Sequence, residues 1–254
     1  MTDPLTQVTE QLLPLLRGRQ VLAIGELHGT VQFPSLIGRL VAAAADRELS
    51  VTVGLEIPCS ERPGEFGPFW QRLPMFQDGR SSMAMADLVG GLVEPRNRGA
   101  DVEVVFMDGP WVAPGSPIPM EWLHLVEQRR DEVMASFLLD AMGRRAQAVT
   151  LVLAGSQHTR VDGSSLDGEG RPALGHYLRR WHPEMVSLLG QTSGGEAWTI
   201  SGRSEPGRPR PVAHDADLEP GAAWATRPGT DGHHGYVHVG PVTASPPHPS
   251  GGGR

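Results

Sequence analysis

Apolar residues recur along the chain in two alternating rhythms. From Leu5 to Leu16, the positions Leu5, Val8, Leu12, Leu15 and Leu16 carry the spacing of one helical face. Gln20 to Gly25 (QVLAIG) is instead a short continuous apolar run closed by glycine, which is how a strand covered on both faces of a parallel sheet reads. Leu36, Ile37, Leu40, Val41 and Ala44 resume the helical spacing, and Val51 to Leu55 (VTVGL) completes a βαβ unit. The rhythm repeats with Val102 to Met107 (VEVVFM), a long helix from 121 to 144, Val149 to Ala154 (VTLVLA), a shorter helix from Leu174 to Trp181, and Met185 to Leu189 (MVSLL). Strands alternating with helices predict a three-layer α/β fold with a mainly parallel sheet flanked by helices.

Two stretches break the pattern. Between Pro58 and Arg80 prolines and glycines mix with Phe66, Phe69, Trp70 and Phe76, a composition suited to a loop or lid. After 200, Gly, Pro and Arg dominate. The expected division is an α/β core over 1–200 and an irregular Gly/Pro-rich C-terminal extension over 201–254, disordered in its last dozen residues, with Trp198 in a further strand and Tyr236 to Val239 as an edge strand. In such an extension His233, His234 and His238 are expected to be structural rather than metal-binding.

Composition removes several function classes. A formal charge of −7 on 254 residues leaves no basic footprint, so neither nucleic acid nor a membrane surface is an expected partner; a small molecule is. The start, Met1-Thr2-Asp3-Pro4, has no basic segment followed by an apolar run, and the expectation is a cytoplasmic protein. Cys59 is the single cysteine, which excludes an internal disulfide and a cysteine-built zinc site. All 22 basic residues are arginine, so a phosphate-loop lysine and a Schiff base are excluded too. The Gly-x-Ser-x-Gly elbow of conventional α/β-hydrolases is absent.

The candidate chemistry lies where strands end. Parallel strands joined by crossover helices point the same way, so the residues just past their carboxyl ends share one edge of the molecule. There the chain places Gly25-Glu26-Leu27-His28-Gly29-Thr30, then Glu56, then Asp108, then Gly155-Ser156-Gln157-His158. Gly25, Gly29 and Gly155 permit tight turns that bring backbone close to a ligand. On the long helix, Leu123, Val126, Val133, Met134, Phe137 and Ala141 share a sector with Arg130 at its centre. A guanidinium buried there requires partners, for which Glu26, Glu56 and Asp108 are the candidates. Arg129 and Asp131 lie at the flanks of that sector.

These residues resemble a known family. Gly25-Glu-Leu-His-Gly-Thr followed by Phe33-Pro34, Leu55-Glu56, Arg130-Asp131-x-x-Met134-Ala135 and Gly155-x-x-His158 is similar to the erythromycin esterase-like group, itself related to the ChaN-like haem-binding uptake proteins and the Tiki/TraB metalloprotease-like proteins. The resemblance spans residues 20 to 160 and implies a cleft in which Glu26, His28, Glu56, Arg130 and His158 form the catalytic set. Gly25, Gly29, Asp108, Asp131 and Gly155 are the expected substrate-binding residues. The expected reaction is hydrolysis of an ester, lactone or amide: His28 or His158 as base on water, Glu26 or Glu56 orienting it, Arg130 on the oxyanion. A divalent metal on Glu26, His28, Glu56 and His158 is a variant of that idea. The alternative is a non-catalytic haem- or iron-binding protein, for which Tyr177 and Tyr236 are the only tyrosine ligands available besides the histidines.

Overall fold

A computed structural model describes residues 3–58, 79–97, 99–109, 129–162, 170–200, 207–214, 219–223 and 232–247. Cys59, the expected lid over 59–78 and the first part of the expected long helix fall outside these residues.

Helix α1 spans Pro4–Leu12, with Asp3 capping it through a hydrogen bond from the Leu5 amide, and a 3-10 turn follows at Leu13–Leu15. Strand β1 is Val21–Glu26, helix α2 Gln32–Ala45 and strand β2 Val51–Pro58. Helix α3, Met83–Asn97, has no counterpart among the expected elements. Its buried Met85, Leu88, Val89 and Leu92 do follow helical spacing, a signal interrupted by Gly90 and Gly91. Then come β3 (Val102–Asp108), α4 (Arg130–Arg144), β4 (Val149–Gly155), α5 (Leu174–Trp181), β5 (Val186–Gln191), β6 (Ser193–Thr199), β7 (Arg208–His214) and β8 (Gly235–His238).

The main sheet runs β3-β2-β4-β1-β5-β8, and every pairing within it is parallel. Buried side chains alternate across it. Leu22 and Ile24 of β1 face a core shared with α1, α2 and α3, while Val21 and Ala23 face a second core with α4 and α5. This is the expected three-layer α/β architecture. The chain moves from β1 outward to β3 and then returns to insert β4 between β2 and β1. The return puts the ends of β1 and β4 side by side, with Glu26 paired to Gly155.

The stretch after 200 is less irregular than its composition suggests. Strand β8 joins the main sheet beside β5, and β7 pairs antiparallel with β6 as a separate two-stranded ribbon. Residues 242–247 lie along the β1–α2 turn and the start of α3: the Val31 amide donates to Thr243, the Ser245 amide to Gly29 and the Met83 amide to Pro246. The expectation of disorder through the last dozen residues therefore fails for 243–247, where backbone pairing replaces the missing apolar period. The helical stripe also needs correction. Arg130 opens α4 instead of sitting mid-helix, and the buried face is Met134, Ala135, Leu138, Ala141 and Met142, with Phe137 39% exposed.

Candidate functional site

Glu56 is the hub of the strand-end cluster. As the sixth residue of a strand buried along its length, it carries a carboxylate only 2% exposed. Its Oε2 accepts from the Gly155 amide at 2.7 Å and lies 3.5 Å from His28 Nε2. Its Oε1 accepts from Arg130 Nη2 at 2.5 Å and Arg80 Nη1 at 3.2 Å, with His158 Nε2 at 3.5 Å. Burial alone would raise the Glu56 pKa; His158, His28 and Arg130 outweigh it and hold the carboxyl well below its ordinary range.

Around this hub the other groups form pairs. Asp108 takes the Arg130 fork, Nε to Oδ1 at 2.7 Å and Nη2 to Oδ2 at 2.8 Å, the two-point geometry that a lysine does not supply. Burial works against the Arg130 cation, but Glu56 and Asp108 overcome it and raise its pKa. Arg80 Nη1 also reaches Asp108, at 3.4 Å. The half-buried Arg130 thus has two of its three expected partners. The third, Glu26, is engaged elsewhere: its Oε1 lies 2.9 Å from His28 Nδ1. Desolvation would lower the His28 pKa, yet Glu56 and Glu26 push it up to about 10. His158 Nδ1 lies 2.8 Å from Asp131, whose carboxylate also accepts from the Leu174 amide at 2.7 Å and so pins the start of α5. Burial lowers and Arg130 lowers the His158 pKa; Glu56 and Asp131 prevail, and the net direction is up.

A cavity of about 440 Å³ opens on this cluster, lined by Glu26, His28, Gly155, Ser156 and His158 on the sheet side and by the β6–β7 ribbon opposite. Glu26, His28, Glu56, Arg130 and His158 are therefore one connected set. Arg130 does not line the cavity; its guanidinium lies behind His158, 3.2 Å from Nε2. Asp108 and Asp131 are likewise spent on Arg130, His158 and Leu174.

The three glycines make room chiefly for protein. A Cβ on Gly25 would stand 2.5 Å from Thr159 Oγ1, one on Gly155 2.9 Å from His28 Nε2, and one on Gly29 2.0 Å from the Trp198 carbonyl. Gly29 also has φ +75°, and its carbonyl accepts from the amides of Trp198 and Ser245. The turn after β1 is thus clamped between the ribbon and the chain's last described segment. His233 meets Thr159 Oγ1 at 2.9 Å, the His234 ring accepts from the Ser187 amide and the His238 ring from Gly240, so all three take structural hydrogen bonds.

The expected metal ligands do not fit a cation. Both Glu56 oxygens face N–H donors, and two guanidiniums stand where a dication would be repelled. Among the described residues no group of three His, Cys, Asp or Glu side chains is arranged to hold a metal ion. Haem has no tyrosine ligand here either: neither Tyr177 nor Tyr236 lines the cavity. Arg80 was not legible as a site residue, because Gly79-Arg80-Ser81-Ser82 is a turn with neither helical nor strand period. The ribbon residues Thr199 and Arg210 were missed because β6 and β7 are rich in Gly, Pro and polar residues and carry little apolar alternation. Among the described residues no helix is long and apolar enough to cross a membrane.

No family model matches the chain, and no curated protein sequence does. Solved structures do match. An erythromycin esterase in its open conformation is similar over 81% of this chain and 78% of its own, at 12% identity and TM-score 0.55. A Bacillus cereus protein is similar over 96% and 99%, at 10% identity and TM-score 0.60. A succinoglycan biosynthesis protein is similar over 96% and 98%, at 8% identity and TM-score 0.60. Identities this low establish a shared three-layer α/β fold and nothing finer.

Proposed function

We propose that the protein is a hydrolase acting on an ester, lactone or amide, with His28 as the proton-transferring group. One observation carries the reading: His28 lines the cavity with Nδ1 held by buried Glu26 and Nε2 beside ionised Glu56. An acid that fixes one ring nitrogen selects the tautomer and stabilises the imidazolium formed when the other nitrogen takes a proton from water. Neutral His28 is then the base, Glu26 its orienting partner, and Gly155 the backbone against which the ring is seated. Arg130 helps keep Glu56 ionised and Arg80 donates to the same carboxylate, so they act as positioning residues. Arg130 does not take the oxyanion role expected of it, because its guanidinium is engaged by Glu56 and Asp108 and is not among the cavity-lining residues. The fold shared with an erythromycin esterase is consistent with this reaction class.

The test is a panel of esters, lactones and amides assayed with and without chelator. Hydrolysis unaffected by chelator and reduced at least roughly 100-fold in His28→Ala is expected, the size of a general-base contribution. For a base with a pKa of about 10, log kcat/KM rises with pH from neutrality and levels near that value. Wild type and His28→Ala indistinguishable on every substrate would sink the proposal, as would a rate that falls over this range.

A further inference from the structure

The turn after β4 stands beside His28: a Cβ on Gly155 would lie 2.9 Å from His28 Nε2. It runs over Gly155-Ser156-Gln157-His158 and is closed by a hydrogen bond of 2.9 Å from the His158 amide to the Gly155 carbonyl. Neither Ser156 nor Gln157 has a positive φ, and no peptide bond is cis, which together make it a type I turn. Both central residues of such a turn are near-helical, so its amides point to one side, as in the first turn of a helix. Ser156 donates across to the Glu26 carbonyl of β1 at 3.2 Å, which aims that side at the strand end leading into His28.

Most donors of the turn are already spent. Gly155 donates to Glu56 Oε2, Ser156 to Glu26 and His158 to Gly155. The Gln157 amide has no acceptor among the described residues, and the Ser156 hydroxyl has no partner among them. Both residues line the cavity, Ser156 half-buried and Gln157 exposed. The base of the turn is fixed: Thr159 Oγ1 donates to the Ser156 carbonyl at 3.3 Å, and a Cβ on Gly25 would stand 3.0 Å from Ser156 Cα.

Charge decides which groups can meet a developing negative oxygen. Each imidazole of the cavity faces carboxylates already, His28 those of Glu26 and Glu56, His158 those of Asp131 and Glu56. Arg130 is held by Glu56 and Asp108. The Ser156 hydroxyl and the Gln157 amide carry no charge to be balanced, and their hydrogens are uncommitted.

Building on the hydrolase reading, we propose that the Ser156 hydroxyl and the Gln157 backbone amide form the oxyanion-binding pair of this site. Water attacks the carbonyl carbon, its proton passes to His28 Nε2, and the carbon–oxygen π pair moves onto the carbonyl oxygen, where the two donors receive it. Collapse of the intermediate expels the alcohol or amine, which recovers the proton from His28. Donors fixed before the reaction stabilise that charge without reorganising.

Proline at 157 would delete the amide but also force Ser156 from its near-helical conformation, so the amide is read directly by NMR. The isotope-labelled full chain is titrated with benzyl methylphosphonate, a monoanionic tetrahedral mimic of the intermediate from benzyl acetate. Its benzyl group suits Leu27, Ala197 and Val212 of the cavity wall. The Gln157 amide proton is expected to move downfield in step with saturation, and Ser156→Ala to bind at least roughly tenfold more weakly. For benzyl acetate, kcat of Ser156→Ala falls about 100-fold with KM unchanged, and Ser156→Thr, which keeps a hydroxyl, recovers part of the loss. Absence of phosphonate binding, an unmoved Gln157 amide at saturation, or equal affinity in a folded Ser156→Ala would each overturn the inference. Binding that depends on Ser156 without release of benzyl alcohol leaves the donor pair standing and counts against the hydrolase reading; release at the same rate in wild type and Ser156→Ala does the reverse.

Discussion

His28 gathers opposing influences in one imidazole. Burial favours the neutral ring, and two carboxylates within 3.5 Å favour the cation. The carboxylates prevail because neither is solvated enough to be screened; Glu26 and Glu56 side chains are each 2% exposed. The same logic explains why Glu56 stays ionised between two guanidiniums. Replacing Glu56 by Gln removes the largest single attraction on the ring while preserving its shape. A titration of the His28 ring by NMR should show its pKa drop from about 10 by more than a unit in Glu56→Gln. An unmoved value would mean that Glu26 alone sets the ring's charge.

At the scale of elements, the turn between β1 and α2 is where the site is assembled. Gly29 is its tightest point, with the Trp198 carbonyl on one side and Gly79 on the other, whose own Cβ would stand 2.2 Å from Gly29 Cα. A residue with a side chain at Gly29 must tolerate φ +75° and displace the ribbon. Gly29→Ala is expected to cost about 3 kcal/mol, read as a melting point roughly 10 °C lower by calorimetry. A glycine needed only for ligand approach would instead leave the melting point unchanged and raise KM. The ribbon, the segment 242–247 and the β1 turn thus form one clamp, built from stretches far apart in sequence.

At the scale of the whole molecule, the shifted pKa values of His28 and Glu56 shape stability against pH. His28 is raised from 6.5 to about 10, so its contribution is full below 6.5 and is lost as pH rises through 10. Glu56 is depressed from 4.5, so its contribution is present above 4.5 and is lost as pH falls through its lower folded value. Maximum stability is therefore expected between pH 4.5 and 6.5, with the melting temperature declining steadily from 6.5 to 10. Thermal melts across this range check it, and His28→Gln should flatten most of the alkaline slope. A wild-type melting point that climbs between pH 7 and 10 would refute the assignment.

The sequence by itself determined the alternation of β1, α2, β2, β3, β4, α5 and β5, because a buried parallel strand must be a continuous apolar run and a covering helix must repeat every three or four residues. It also placed Glu26, His28, Glu56 and His158 on one edge, since parallel strands end together. Only the tertiary structure decided which partner each charge takes. The Glu26–His28 pair is local, but strand order set Glu56 of β2 beside Gly155 of β4 and within reach of Arg130, and order depends on how helices pack, which no local pattern encodes. Arg80 and Arg210 reach the site from a turn and from a ribbon held by backbone hydrogen bonds. Such bonds can be made by any residue with an amide, so they leave no trace in the pattern of apolar and polar positions.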